Sequence, residues 1–151
     1  MIPKKILFCT DFSENSMPAK ATAVEYAKVF KSALLIIHVV NSRLLGYPTF
    51  EDKIPVDMAL LRTNIEEGVE QELDLIAKDC KRKVKRVKAF YRTGDPAEEI
   101  ARAVVDESID LVVMGTHGAT GLRHLILGST AENVVRTANC PVLTVRPAPK
   151  E

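Results

Sequence analysis

Five short, mostly aliphatic runs, separated by stretches with helical spacing, constrain the fold of this chain more than any other feature. The runs are Ile6 to Thr10, Leu34 to Val40 (LLIIHVV), Val84 to Tyr91, Ile109 to Met114 (IDLVVM) and Val142 to Val145. A strand with one face in water alternates apolar and polar side chains, whereas a strand covered on both faces is apolar almost throughout. Only the third run alternates. Near-continuous Val, Ile and Leu in the others demands a parallel sheet with helices on both sides.

The intervening segments supply those helices. The first is expected from Ser13 or Ser16 to about Lys31. The second carries Leu61, Ile65, Val69, Leu73, Ile76 and Cys80, spaced by fours and a three, which marks one buried face. The third has Asp95 as N-cap, Pro96 at its first position and Glu98 at its third, with Gly94 allowing a sharp turn before it. The fourth covers Thr130 to Ala138, and Asn139 and Pro141 end it. Strict alternation predicts a three-layer α/β sandwich with right-handed crossovers, in one domain spanning residues 1–151. One connection, Asn41 to Pro55, exceeds the usual loop length. Its Leu44, Leu45, Tyr47 and Phe50 either cover a site or partner, or pack as a satellite cluster on the second helix.

Composition narrows the classes. Cys9, Cys80 and Cys140 are odd in number and far apart, which argues against a disulfide framework and for a reducing, cytoplasmic compartment. No apolar run approaches the ~20 residues that span a bilayer, and the apolar stretch near the start is too short for a secretory signal. The formal net charge of +1 exerts no bulk pull on nucleic acid or anionic membrane. Lys81 to Lys88, KRKVKRVK, holds six basic residues in eight, but no aromatic interleaves them. They read as protection of a sheet edge rather than as a nucleic-acid patch. The last strand is short and apolar, with no later element to cover it. Its edge, Val142, Leu143, Thr144 and Val145, therefore suits pairing in a homodimer.

The chemistry concentrates in GTHGATGLRHLILGS, with the spacing Gly115-x2-Gly118-x9-Gly128-Ser129. Glycines at a strand exit allow positive φ and close backbone approach to a ligand, and the free N–H groups at the next helix start attract anions. Hydroxyls of Ser129 and Thr130, with Arg123 and His124 in the loop, complete a phosphate cradle. A Ser129 helix cap and an ordinary glycine-rich turn use the same residues. The spacing matches neither a Walker A loop nor the dinucleotide fingerprint. Asp11 follows the first strand. If the first and fourth strands are neighbours, it faces Gly115 across the crevice where strand order reverses. There it would bind ribose hydroxyls or hold Mg²⁺ through water, or else cap the first helix or form an Asx turn with Ser13. His38, inside an apolar run, reads as a core histidine, and His38, His117 and His124 lack zinc-ligand spacing. No nucleophile elbow is present, Cys9 has no evident base beside it, and Asp11 is the one obvious acid, so efficient hydrolysis is not expected.

Together KKILFCTDFS, IIHVV, DLVVMGTHG and LGSTAENVVRTANCPVLTVRP resemble the universal stress protein family over essentially the whole chain. The resemblance is to its ATP-binding kind, whose pattern G-x2-G-x9-G-[S/T] is met by Gly115, Gly118, Gly128 and Ser129. It implies an adenine nucleotide alpha hydrolase-like fold with strand order 3-2-1-4-5. It also implies that Cys9 and Asp11 line an adenosine crevice, with Asp11 near the ribose, and that Val39 offers backbone groups to the adenine. Gly115, Thr116, His117, Gly118, Ala119, Thr120 and Gly121 would wrap ribose and phosphates, while Gly128, Ser129, Thr130 and Ala131 hold the phosphates. Cys9 departs from the family, where proline is frequent. The function implied is that of a cytoplasmic, dimeric, ATP-, ADP- or AMP-dependent switch or sensor in a stress response, with at most slow hydrolysis. The alternatives are a nucleotide-free interaction module, a branch that tends to lose the glycine pattern, and an adenylating enzyme. The enzyme would need a glycine-rich loop where this chain reads TDFSENS.

Overall fold

The computed structural model describes residues 1–45, 57–118 and 127–147. In chain order the elements are β1 (Lys5–Cys9), a 3₁₀ turn (Glu14–Ser16), α1 (Met17–Phe30), β2 (Ala33–Asn41) and the short α2 (Ser42–Leu45). Then come α3 (Met58–Lys81), β3 (Val87–Gly94), α4 (Pro96–Asp106), β4 (Leu111–Gly115), α5 (Ser129–Thr137) and β5 (Val142–Val145). Every strand pairing is parallel and the sheet order is β3-β2-β1-β4-β5, as the resemblance implies.

Alternation along the central strands sorts their side chains into two cores. Ile6 and Phe8 of β1, with Leu34 and Ile36 of β2, are buried with Ala19, Ala23 and Ala27 of α1 and Val69, Leu73 and Ile76 of α3. Leu7 and Cys9, with Leu35 and Ile37, turn to the opposite face and are buried with Ile100, Ala103 and Val104 of α4 and Ala131 and Val134 of α5. Strands covered twice have no polar positions to alternate, which is why the sequence shows unbroken aliphatic runs.

Several boundaries move from their expected places because helix ends use residues that look like strand. The third strand begins at Val87, not Val84, because Lys83 and Val84 both donate their N–H groups to the Cys80 carbonyl, at 3.0 and 2.9 Å, and close α3. Ile109 likewise donates to the Val104 carbonyl at 2.9 Å and anchors the end of α4, so β4 starts at Leu111. The buried stripe of α3 holds from Val69 to Cys80, whereas Ile65 is half-buried and Leu61 is 39% exposed. A helix of 24 residues rises about 36 Å. The 8-residue β3 beside it spans roughly 26 Å, so the first turns of α3 overhang the sheet.

The start of α4 follows its sequence signals in detail. Asp95 caps α4, its Oδ1 accepting the Glu98 N–H at 3.1 Å, and Pro96 opens the helix. Gly94 carries a φ of 155°, and a Cβ there would lie 2.8 Å from Cγ of Glu99. The basic segment ends at the edge of the sheet, with Lys88 exposed on β3. The long connection begins with α2. Only the backbone of Leu44 and Leu45 is described, and Tyr47 and Phe50 lie outside the described residues. Among the described residues, no helix is long and apolar enough to cross a membrane.

Ile36 is fully buried at the centre of β2, whereas Val29 is 69% exposed on α1. Ile36→Ala is expected to cost about 2–5 kcal/mol in urea unfolding, and Val29→Ala to stay within about 0.5 kcal/mol of the parent. Equal losses would contradict the assignment of the core.

Candidate functional site

At the carboxyl end of the sheet the chain leaves β1 toward one face and β4 toward the other. A crevice of about 230 Å³ opens between them. Its shape follows from where the β1–β2 ladder stops. Ala33 donates to the Lys4 carbonyl at 2.8 Å and Thr10 donates to the Ile37 carbonyl at 3.0 Å, so the odd-numbered residues of β2 turn their backbone groups toward β1. Val39 is the next odd residue. A continued ladder would give its N–H to the Thr10 carbonyl and its carbonyl to the Phe12 N–H. Instead the Thr10 carbonyl faces Nδ1 of His38 at 2.9 Å, and the Phe12 N–H goes to Oγ1 of Thr10 at 3.0 Å. Among the described residues the two backbone groups of Val39 on this side have no partner, and Val39 lines the crevice.

Residues 10–16 form a tight polar turn above this point. Oδ1 of Asp11 accepts the N–H of Ser13 at 3.0 Å and its hydroxyl at 2.6 Å, the Asx turn foreseen for this pair. Oγ of Ser16 donates to the Ser13 carbonyl at 2.8 Å and lies 3.1 Å from Oγ1 of Thr10. Phe12 sits in the left-handed region, with φ 66°, where a bulky side chain costs about 1–2 kcal/mol. Its ring stacks on His38, with centroids 4.2 Å apart and planes 22° from parallel. That stack offsets part of the backbone strain.

The opposite wall comes from the two ends of the glycine-patterned segment. Gly128 donates to the Thr116 carbonyl at 2.6 Å, Thr116 donates to the Val145 carbonyl at 3.1 Å, and Nδ2 of Asn15 donates to the Gly118 carbonyl at 2.9 Å. These bonds hold the strand exit beside the start of α5. The glycines serve close approach rather than unusual backbone angles, since among the described glycines only Gly94 has positive φ. A Cβ on Gly115 would lie 3.1 Å from the Asn15 carbonyl oxygen, on Gly118 3.1 Å from Oδ2 of Asp11, and on Gly128 3.2 Å from the Thr116 carbonyl oxygen. Gly128 is the N-cap of α5 and Ser129 its first residue, so Ser129 is not the cap and its hydroxyl is not spent on one. The first-turn N–H groups of Ser129, Thr130 and Ala131 have no carbonyl behind them within the helix, and these three residues line the crevice.

Cys9, Asp11, Val39, Gly115, Thr116, His117, Gly118, Gly128, Ser129, Thr130 and Ala131 all line this crevice, while Ala119, Thr120 and Gly121, with Arg123 and His124, lie outside the described residues. Thr10, Ser16, Ile37, His38, Pro96, Ile100 and Met114 line it as well, without having been singled out as site residues. Most look like core or cap residues in sequence, and only topology brings them together. His38 is half-buried and satisfied, as a core histidine would be, yet it forms part of the wall. Burial pushes the Cys9 thiol well above its usual range, which makes it an inert apolar surface rather than a nucleophile. Asp11 is the one carboxylate among the described lining residues. Among the described residues, no group of three or more His, Cys, Asp or Glu is placed to hold a metal.

Because Nδ1 of His38 faces a carbonyl, it carries the ring proton, and Nε2 is an acceptor in the neutral form. Burial lowers the His38 pKa below 6.5, outweighing the Thr10 hydrogen bond and the Asp11 charge. As pH falls from 6.5 to the folded-state midpoint, the unfolded chain takes up this proton first. Stability is therefore full above 6.5 and declines through that window. A ring titration by NMR is expected to place His38 below 6.5, and His38→Phe to reduce the decline. A midpoint at or above 6.5 would contradict the burial.

The universal stress protein family model matches residues 3–146. Universal stress protein MJ0577 of Methanocaldococcus jannaschii is 32% identical over 95% of this chain and 94% of its own length, and MJ0531 of the same organism is 37% identical over 98% and 85%. Universal stress protein YxiE of Bacillus subtilis is 32% identical over 94% and 98%. The solved structure of MJ0577 superposes with a TM-score of 0.81 at 30% identity, covering 99% of this chain and 100% of that one. Sequence, strand order and the placement of the glycine pattern at the switch point therefore agree: the chain belongs to the universal stress protein family.

Proposed function

We propose that this protein binds an adenine nucleotide, ATP, ADP or AMP, in the β1/β4 crevice and works as a nucleotide-dependent switch or sensor in the cytoplasm, in a stress response. The observation that carries the reading is the convergence on one cavity of the Val39 backbone groups, unpaired among the described residues, the Asp11 carboxylate and the start of α5. An adenine edge offers an amino donor beside a ring-nitrogen acceptor, the complement of one residue's C=O and N–H. Oδ1 of Asp11 is held by Ser13, and its second oxygen suits ribose hydroxyls. The N–H groups and hydroxyls of Ser129 and Thr130 suit phosphates. Gly115, Thr116, His117, Gly118 and Gly128 form the facing wall, and Ala119, Thr120 and Gly121 extend it in sequence. Cys9 and Ala131 supply apolar surface. Mg²⁺ would accompany the phosphates, with Asp11 reaching it through water.

With Asp11 as the one carboxylate on the described wall, the site favours binding over turnover, and hydrolysis is at most slow. Two proteins of the same fold were solved as a universal stress protein in complex with cAMP, at 19% identity, and one from Archaeoglobus fulgidus in complex with dAMP, at 17%. Both share the fold, and the proposal here rests on the crevice of this chain. β5 closes one end of the sheet order, so its outer edge is where a second copy would pair through Val142, Leu143, Thr144 and Val145.

Isothermal titration should show saturable ATP or ADP binding, one per chain, and absence of heat at millimolar nucleotide would overturn the reading. Gly118→Val places its side chain toward Oδ2 of Asp11 and is expected to weaken binding by about 1–3 kcal/mol while the far-UV circular dichroism stays unchanged. Undiminished affinity in Gly118→Val would put the nucleotide elsewhere. Sedimentation at tens of micromolar should give the mass of two chains, and a single-chain mass would remove the dimer.

A further inference from the structure

The end of the β1–β2 ladder is not explained by the end of a strand alone. β2 runs on to Asn41 and pairs with β3 from Leu34 opposite Val87 up to Asn41 opposite Gly94. On the other side, pairing with β1 stops at Cys9 opposite Ile37, with one further bond from Thr10. Thr10 and Phe12 follow β1 directly and carry the carbonyl and N–H that Val39 would need. Both are diverted by side chains. Nδ1 of His38 donates to the Thr10 carbonyl at 2.9 Å, Oγ1 of Thr10 accepts the Phe12 N–H at 3.0 Å, and Phe12 is held at a φ of 66° with its ring against His38. His38 thus lies at the centre of both diversions, bonding one residue and stacking on the other.

We propose that His38 is a positioning residue for the nucleotide: it caps the β1–β2 ladder with its side chain and so keeps the backbone N–H and C=O of Val39 unpaired for the adenine. This rests on the nucleotide reading above and deepens it. His38 acts through the backbone, and three features fit that role together. An imidazole reaches the carbonyl while remaining flat enough to stack. The neutral ring avoids burying a charge beside the base. A bulky residue at positive φ is tolerated where glycine would be less strained, because Phe12 is needed as the other half of the stack. Without the His38 donor, the Thr10 carbonyl is free to take the Val39 N–H, extending the ladder by one bond and closing the adenine position.

The test compares His38→Phe, which keeps a ring over Phe12 but lacks the donor, with His38→Asn, whose amide N–H replaces Nδ1–H without the ring. Two readouts apply to the full chain: amide hydrogen exchange at Val39 without nucleotide, and titration with ATP and with inorganic tripolyphosphate. The expected result is that the Val39 amide exchanges readily in the parent and becomes protected in His38→Phe. ATP affinity then falls at least about tenfold, tripolyphosphate affinity is unchanged, and His38→Asn restores a large part of the loss. An unchanged Val39 amide in a folded His38→Phe variant overturns the proposal. So does ATP affinity within about twofold of the parent, or an equal loss for tripolyphosphate. A parent protein that binds no ATP overturns the nucleotide reading and the positioning role with it, whereas the Val39 amide still decides whether His38 holds the ladder open.

Discussion

The site depends on one interruption: the parallel ladder between β1 and β2 stops at Cys9 opposite Ile37, although β2 runs on to Asn41. A backbone N–H and C=O buried in a sheet are normally spent on the neighbouring strand. Here a histidine ring and a threonine hydroxyl take the partners that Val39 would have used. The same turn aims Asp11 at the crevice, because the Asx bonds to Ser13 and the Ser16 contact with Thr10 leave it few alternatives. One local diversion of hydrogen bonds therefore opens this side of the crevice and fixes the acid beside it.

Such a turn requires a rigid base, and the doubly covered sheet supplies it. β1 is paired on both sides, to β2 and β4, and its Ile6, Leu7 and Phe8 are fully buried. Close packing on both faces leaves the carboxyl ends of the strands as the place where the chain can depart from regularity at little cost. Across the crevice, β4 ends in Gly115, and the bond from Gly128 to Thr116 returns the chain to the start of α5. The three glycines there are explained by backbone and carboxylate oxygens lying 3.1–3.2 Å from where a Cβ would stand. They make room within the protein rather than permit an unusual turn.

Much of the fold was legible because local signals and burial agree. The aliphatic runs and the Asp95–Pro96 helix start each follow from a rule that acts over a few residues. The errors sit where two roles share one residue type. Val84 and Ile109 have strand-like side chains but close helices, and Leu61 keeps the period of a buried stripe beyond the end of the sheet it would pack on. For the site, the spaced glycines, Ser129 and Asp11 were visible as a pattern. His38 was not, because a histidine in an aliphatic run looks the same whether it packs in a core or caps a ladder.

By itself the sequence determined the α/β class, the residues of the glycine pattern and the acid after the first strand, since these are matters of period and spacing, and its motifs carried the resemblance to the family. The tertiary structure decided which of them meet. Strand order placed Asp11 opposite Gly118, an assignment no local period contains. Hydrogen-bond competition at the end of β1 decided that Val39 would present open backbone groups. Competition of that kind depends on residues 10 and 12 meeting residue 38, which is distant from them in the chain and adjacent only once β1 and β2 have paired.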